Sequence, residues 1–176
     1  MTWRRVGLYW CCFLTLGVYY LLFERTPAPP VAAHRAPAAF LSVGEDQIES
    51  IEARRGDELV RCRRSDGRWQ VVHPPGATAP SDLIAGLIAT VSDLPEVEVV
   101  AEDPHDLAPF GLDPPSVQLT LTPARGAPIT VQLGQRNPAG TAVYAQRSTS
   151  RQVVLIGINA RYYADLLFAG VAPRGN

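Results

Sequence analysis

An uncharged run of 18 residues, Val6 to Phe23, constrains this chain more than any other feature. As a helix it would be about 27 Å long, close to a hydrocarbon core of roughly 30 Å. Trp3, Tyr9 and Trp10 lie towards one end and Tyr19, Tyr20 and Phe23 towards the other, as interfacial aromatic belts do. Two other readings compete, a cleaved signal peptide and a buried soluble helix. A signal h-region is shorter and closes on a small-x-small site. Here the run ends in Glu24-Arg25, and the first small-residue candidates, Val31-Ala32-Ala33 and Ala36-Pro37-Ala38, lie well beyond it. Cys11 follows Tyr9-Trp10, which is unlike a lipoprotein site. The expectation is therefore an uncleaved transmembrane helix over 6–23.

Arg4 and Arg5 precede the run, and Arg25 and Arg35 follow it. The positive-inside count is a tie. The short N-terminal flank with its free amine favours residues 1–5 in the cytoplasm and the rest of the chain outside. A single-pass protein of the cell inner membrane with an extracytoplasmic domain is expected. Net charge is −1, so no whole-chain field draws the protein to nucleic acid or to anionic lipid. The basic residues are all arginine.

Residues 24–39 are rich in Pro and Ala, with Pro27, Pro29, Pro30 and Pro37. Such a tether tends towards polyproline II and reaches up to roughly 40 Å. The domain is expected over 40–170, with a tail at 171–176. It reads as α+β, mainly antiparallel β-meanders with two helices. Strands are predicted at 47–54, 58–64 and 68–73, the last two joined by an Asp66-Gly67 turn. That dipeptide suits a type I′ hairpin, which needs positive φ at both central positions. Ser81 or Asp82 caps a helix carrying Leu83, Ile84, Leu87, Ile88, Val91 and Leu94 at helical spacing. Further strands are predicted at 96–102, 116–122, 128–133, 142–147 and 152–156, and a closing helix at 160–168. Each half reads as a meander followed by a helix, so a duplicated βββα-like unit is one reading of the cadence.

No catalytic motif and no metal or cofactor site emerges. His34, His73 and His105 have no second His or Cys at ligand spacing. His105 lies among Glu102, Asp103 and Asp106, which reads as a solvated acidic loop, the alternative being a weak metal or base site. Cys62 alternates with Val60 on an apolar strand face and reads as a buried, inert thiol. Arg55-Gly56-Asp57 matches an adhesion tripeptide but reads as an ordinary turn. The arginine cluster Arg54, Arg55, Arg61, Arg63, Arg64 and Arg68 is more informative. Arg61 and Arg63 share one strand face, and the guanidinium fork suits carboxylate and phosphate. The binding candidates are Arg61, Arg63 and Arg64. The alternative is a solvated sheet surface with cross-strand pairs to Glu49, Glu52 and Glu58.

One string stands out, Asp106-Leu107-Ala108-Pro109-Phe110-Gly111-Leu112-Asp113-Pro114-Pro115. Leu133-Gly134, Asn137-Pro138-Ala139-Gly140 and Tyr144-Ala145 follow it. Ile48, Ile51, Asp66-Gly67-x-Trp69, Pro74-Pro75 and Ser81-Asp82 precede it in the same order. From Phe40 to Phe168 the chain resembles the bacterial family of domain of unknown function 4340. The resemblance implies a single N-terminal anchor and an association with gliding-motility-type ABC transporter components, and it brings no catalytic residues. Physically the string reads as structural. Gly111 would supply a conformation closed to other residues. Asp113 would be extended before Pro114. Phe110 and Leu112 would plug the junction between the halves. The expected function is a non-enzymatic, membrane-anchored envelope protein acting as an interaction module of a transporter- or motility-type complex. The alternative is a module binding an anionic envelope ligand through the Arg-rich strand.

Overall fold

Alternating apolar residues from Ile48 onward build strands, and the computed structural model shows which strands they pair with. It describes Trp3, Trp10, residues 12–16, Tyr19, Phe40, Leu41, residues 43–94 and residues 97–171. Two separate units are present, Met1–Ala36 and Pro37–Asn176. In the first, Trp3, Trp10, residues 12–16 and Tyr19 are helical. Among the described residues no helix is long and apolar enough to cross a membrane. The predicted span 6–23 lies mostly outside the described residues, as do the tether 24–39 and the tail after Val171.

The second unit is α+β. Its strands are β1 (Ile48–Arg55), β2 (Glu58–Ser65), β3 (Arg68–His73), β4 (Glu98–Ala101), β5 (Val117–Pro123), β6 (Ile129–Arg136), β7 (Ala142–Arg147) and β8 (Val153–Gly157). Its α-helices are α1 (Ser81–Ser92) and α2 (Asn159–Val171). One eight-stranded sheet runs in the order β3-β2-β1-β5-β6-β7-β8-β4. Every pairing is antiparallel. The two meanders join edge to edge at β1–β5. They are not equal: the second has four strands, and β4 crosses from α1 to pair with β8 at its far edge.

Period-two alternation divides the sheet into two faces. Ile51, Ala53, Val60, Cys62, Leu119, Leu121, Val131, Leu133, Val143, Ala145, Val154 and Ile156 are buried on the inner face. Ile84, Leu87, Ile88 and Val91 of α1 close over it, with Ala160, Ala164, Leu167 and Phe168 of α2. Each fully buried Leu or Ile contributes roughly 1.5–3 kcal/mol relative to leaving it in water. Phe40 and Leu41 join this core ahead of β1, and the Phe40 N–H donates to Leu94 O at 3.1 Å.

The β2–β3 turn has the expected geometry, with φ of 51° at Asp66 and 75° at Gly67. The helix start differs from expectation. Pro80 is the N-cap and no side chain caps α1. The Ser81 hydroxyl instead accepts the Trp69 N–H at 3.0 Å. β3 is an edge strand, so that N–H has no ladder partner on its outer side, and the hydroxyl satisfies it.

Candidate functional site

The helices leave the outer face of the sheet free, and its two halves are finished differently. On the second meander, Gly134, Tyr144, Gln146, Val153 and Leu155 point outward by register. The segment between β4 and β5 lies over Gly134 and Tyr144. Asp106 accepts the Ala108 N–H on Oδ1 at 2.9 Å and starts a single 3-10 turn over Ala108–Phe110. Gly111 ends that turn at φ 66°, ψ 30°, the left-handed region that favours glycine. A Cβ at Gly111 would also stand 2.8 Å from the Gln135 nitrogen. A Cβ on Gly134 would overlap the Phe110 carbonyl oxygen. Phe110 meets Tyr144 edge to face, with ring centroids 5.1 Å apart. The Gln135 side-chain amide donates to Pro109 O. Leu112 and Val153 are buried outside the main core. Leu112 bridges to Pro115, and the Asp113–Pro114 peptide is cis.

Phe110 and Leu112 therefore do not sit at the junction of the halves, which is the β1–β5 pairing. They cover the outer face of β6 and β7, where Gly134 leaves room for them. Three separate strings of the sequence meet there, the Phe-Gly-Leu-Asp stretch, Leu133-Gly134 and Tyr144-Ala145.

On the first meander the outer face is bare and polar. Glu52 is opposite Arg61 and Ser50 is opposite Arg63. Gln70 continues the second row on β3, and Thr122 continues it on β5. The three binding candidates diverge here. Arg61 is committed to Glu52, with Nη2 at 2.7 Å and Nε at 3.1 Å. Arg54 lies 3.5 Å from the same carboxylate. The hydrogen bond from Arg61, its charge, and the contact and charge of Arg54 hold Glu52 below the ordinary carboxylate value, against the opposing cost of its burial. Arg64 donates to Asp46 O at 3.3 Å. Arg63 makes no ion pair or hydrogen bond among the described residues, and neither does Arg68.

The expected cross-strand pairing holds for Glu52. It holds for Glu58 too, which pairs with Arg55, its partner in the β1–β2 register, at 2.7 Å. Arg55 also reaches Asp165 at 3.3 Å and stacks on Phe168 at 4.4 Å, so the Arg-Gly-Asp tripeptide is built into the fold through its arginine.

The loop around His105 shows each neighbouring carboxylate engaged elsewhere. Glu102 accepts from Gln152 at 2.6 Å and Asp103 pairs with Arg151 at 3.1 Å. Asp106 holds the Ala108 N–H. Among the described residues no group of His, Cys, Asp and Glu is placed to hold a metal. Cys62 is buried, and desolvation pushes its thiol up to about 12, which leaves it protonated and unreactive at neutral pH. His34 lies outside the described residues.

Neither the curated proteins nor the solved structures contain a match to this chain. A family model does match, over residues 69–171. It begins at Trp69 on β3 and runs through α2, so β1, β2 and their arginines lie outside it. The Phe110 segment, Gly134 and Tyr144 all lie inside. The match spans more than half of the chain, which therefore belongs to the family described as domain of unknown function (DUF4340).

Proposed function

We propose that this protein is a non-enzymatic, membrane-anchored envelope protein whose α+β domain is an interaction module. Residues 6–23 cross the inner membrane, 24–39 tether the domain, and the domain stands outside the cytoplasm. The observation that carries this reading is the apolar surface of the N-terminal unit. Helical Trp10, Phe13, Leu14 and Leu16 are 61%, 70%, 59% and 69% exposed, within a run that has no charged residue. Water is a poor solvent for such a surface, and a bilayer is a good one. The partner in this reading is an inner-membrane complex of the ABC transporter or motility type, as the family resemblance suggests.

Protease treatment of intact spheroplasts carrying a C-terminally tagged protein tests the topology. The tag should be digested without lysis. Protection until lysis would place the domain in the cytoplasm and overturn that part. Affinity capture from detergent extracts should recover a transporter subunit reproducibly, and its consistent absence would refute the partner. A second reading, a module that binds an anionic ligand, is favoured by Arg63 and Arg68, the two arginines of the bare face whose side chains have no partner among the described residues.

A further inference from the structure

We infer that the bare half of the sheet is a phosphate-recognition surface that lays the domain on an anionic bilayer, with Arg63 and Arg68 as its contacts. This rests on the anchored reading above. The row Thr122–Ser50–Arg63–Gln70 runs in register across β5, β1, β2 and β3. It sets two hydroxyls, a guanidinium and an amide side by side over about 14 Å, three inter-strand spacings. Each of these groups can donate a hydrogen bond. Arg68 is opposite Ser65, one pleat further along, which puts it diagonal to Arg63 at roughly 7–8 Å.

Charge on this face favours an anion. Arg54, Arg61, Arg63 and Arg68 project from it. Glu52 is the carboxylate of the registered rows and is engaged by Arg61 and Arg54; Glu49 stands exposed beside Ser50, at the bulge between Ile48 and Ser50. Arg63 and Arg68 therefore keep both charge and donors for a ligand. The guanidinium fork matches the paired oxygens of a phosphodiester.

The form of the site selects the source of the phosphate. The row lies on an open sheet face, and Arg63 and Gln70 are exposed. Exposed single contacts of this kind are weak, so a free anion would not be held at ordinary concentration. A surface that presents many phosphates meets the row with several contacts at once. A tether that keeps the domain within about 40 Å of the lipid raises their effective concentration. A bilayer with anionic headgroups supplies both conditions.

The test uses the full-length chain in vesicles, with a fluorophore at Ser65→Cys and Cys11 and Cys12 replaced by serine. Energy transfer to a headgroup-labelled lipid reports docking. Transfer should be low in phosphatidylcholine, rise when phosphatidylglycerol is added, and fall again at high salt. R63Q/R68Q should cut the docked-to-free ratio by roughly thirtyfold, with an unchanged urea midpoint showing that the fold is intact. R125Q/R136Q removes the same charge from elsewhere and should have a much smaller effect.

Transfer indifferent to lipid charge would overturn the inference, as would equal losses in the two double variants. Release by inorganic phosphate at matched ionic strength would overturn the bilayer as the source. Retention on phosphatidylcholine vesicles through an alkaline wash reports anchoring separately. A chain that washes off overturns the anchor and this inference together, whereas a retained but indifferent chain overturns this inference alone.

Discussion

The two halves of the outer sheet face differ in what covers them. Over β6 and β7, the Ala108–Phe110 turn, Gly111 and Leu112 form a second, small apolar layer against Gly134 and Tyr144. Over β1–β3 nothing among the described residues lies on the face, and its side chains satisfy one another in pairs or stay unpaired. The covered half is therefore sensitive to shape and the bare half to charge. The family match divides the chain along nearly the same line, since it includes the covered half and starts only at Trp69. The arginine-bearing β1–β2 hairpin lies outside the matched residues.

Substitutions can break this contrast, and the largest effect should come from the covered half. Leu112→Ala removes a buried side chain that anchors the segment, and should cost about 3 kcal/mol in urea unfolding. Gly111→Ala puts a Cβ at a positive φ and against the Gln135 backbone, for a loss of roughly 2 kcal/mol by the same measurement. Phe110→Ala gives up the ring contact with Tyr144 and part of the cover, for about 1–2 kcal/mol. A double-mutant cycle with Tyr144→Ala should return a coupling of roughly 1 kcal/mol.

On the bare half the effects should be small and dependent on salt and pH. Glu52→Gln should cost about 0.5–1 kcal/mol at low salt and less at high salt. The pH dependence has a definite sign. Arg61 and Arg54 hold the carboxyl of Glu52 below the usual carboxylate range, so its contribution is present above the unfolded value and lost as pH falls through the folded value. Stability of wild type and Glu52→Gln should therefore converge in acid, as paired unfolding curves across pH would show. The buried Cys62 thiol should stay unlabelled by a thiol reagent in the native protein and react once urea unfolds it.

Much of this architecture could be read from residue patterns. Alternation placed β7 at its observed bounds, 142–147, and the other strands within a few residues. Asp66-Gly67 announced its own turn, because few other pairs tolerate positive φ twice. Strand order was not legible. Alternation says which residues share a face but not which strand lies alongside, so the crossing of β4 to β8 left no mark in Glu98–Ala101. The role of the Phe110 segment was half legible. Gly111 carried a conformational signal, whereas the place it docks depends on Gly134, more than twenty residues away in sequence and joined to it only by register. The arginines show the same limit. Period two put Arg61 and Arg63 on one face, but only the pairing of Glu52 with Arg61 and Ser50 with Arg63 separates a neutralised arginine from a free one.

The most direct test of the contrast makes one small substitution in each half. Gly134→Ala places a Cβ against the Phe110 carbonyl, and Ser50→Ala trims a hydroxyl from the bare row. Urea unfolding of both variants against the wild type is the deciding measurement. The account predicts a loss of about 3 kcal/mol for Gly134→Ala and a change within about 0.5 kcal/mol for Ser50→Ala. A Gly134→Ala protein as stable as the wild type would mean that the Phe110 segment does not seal the sheet, and would contradict the account.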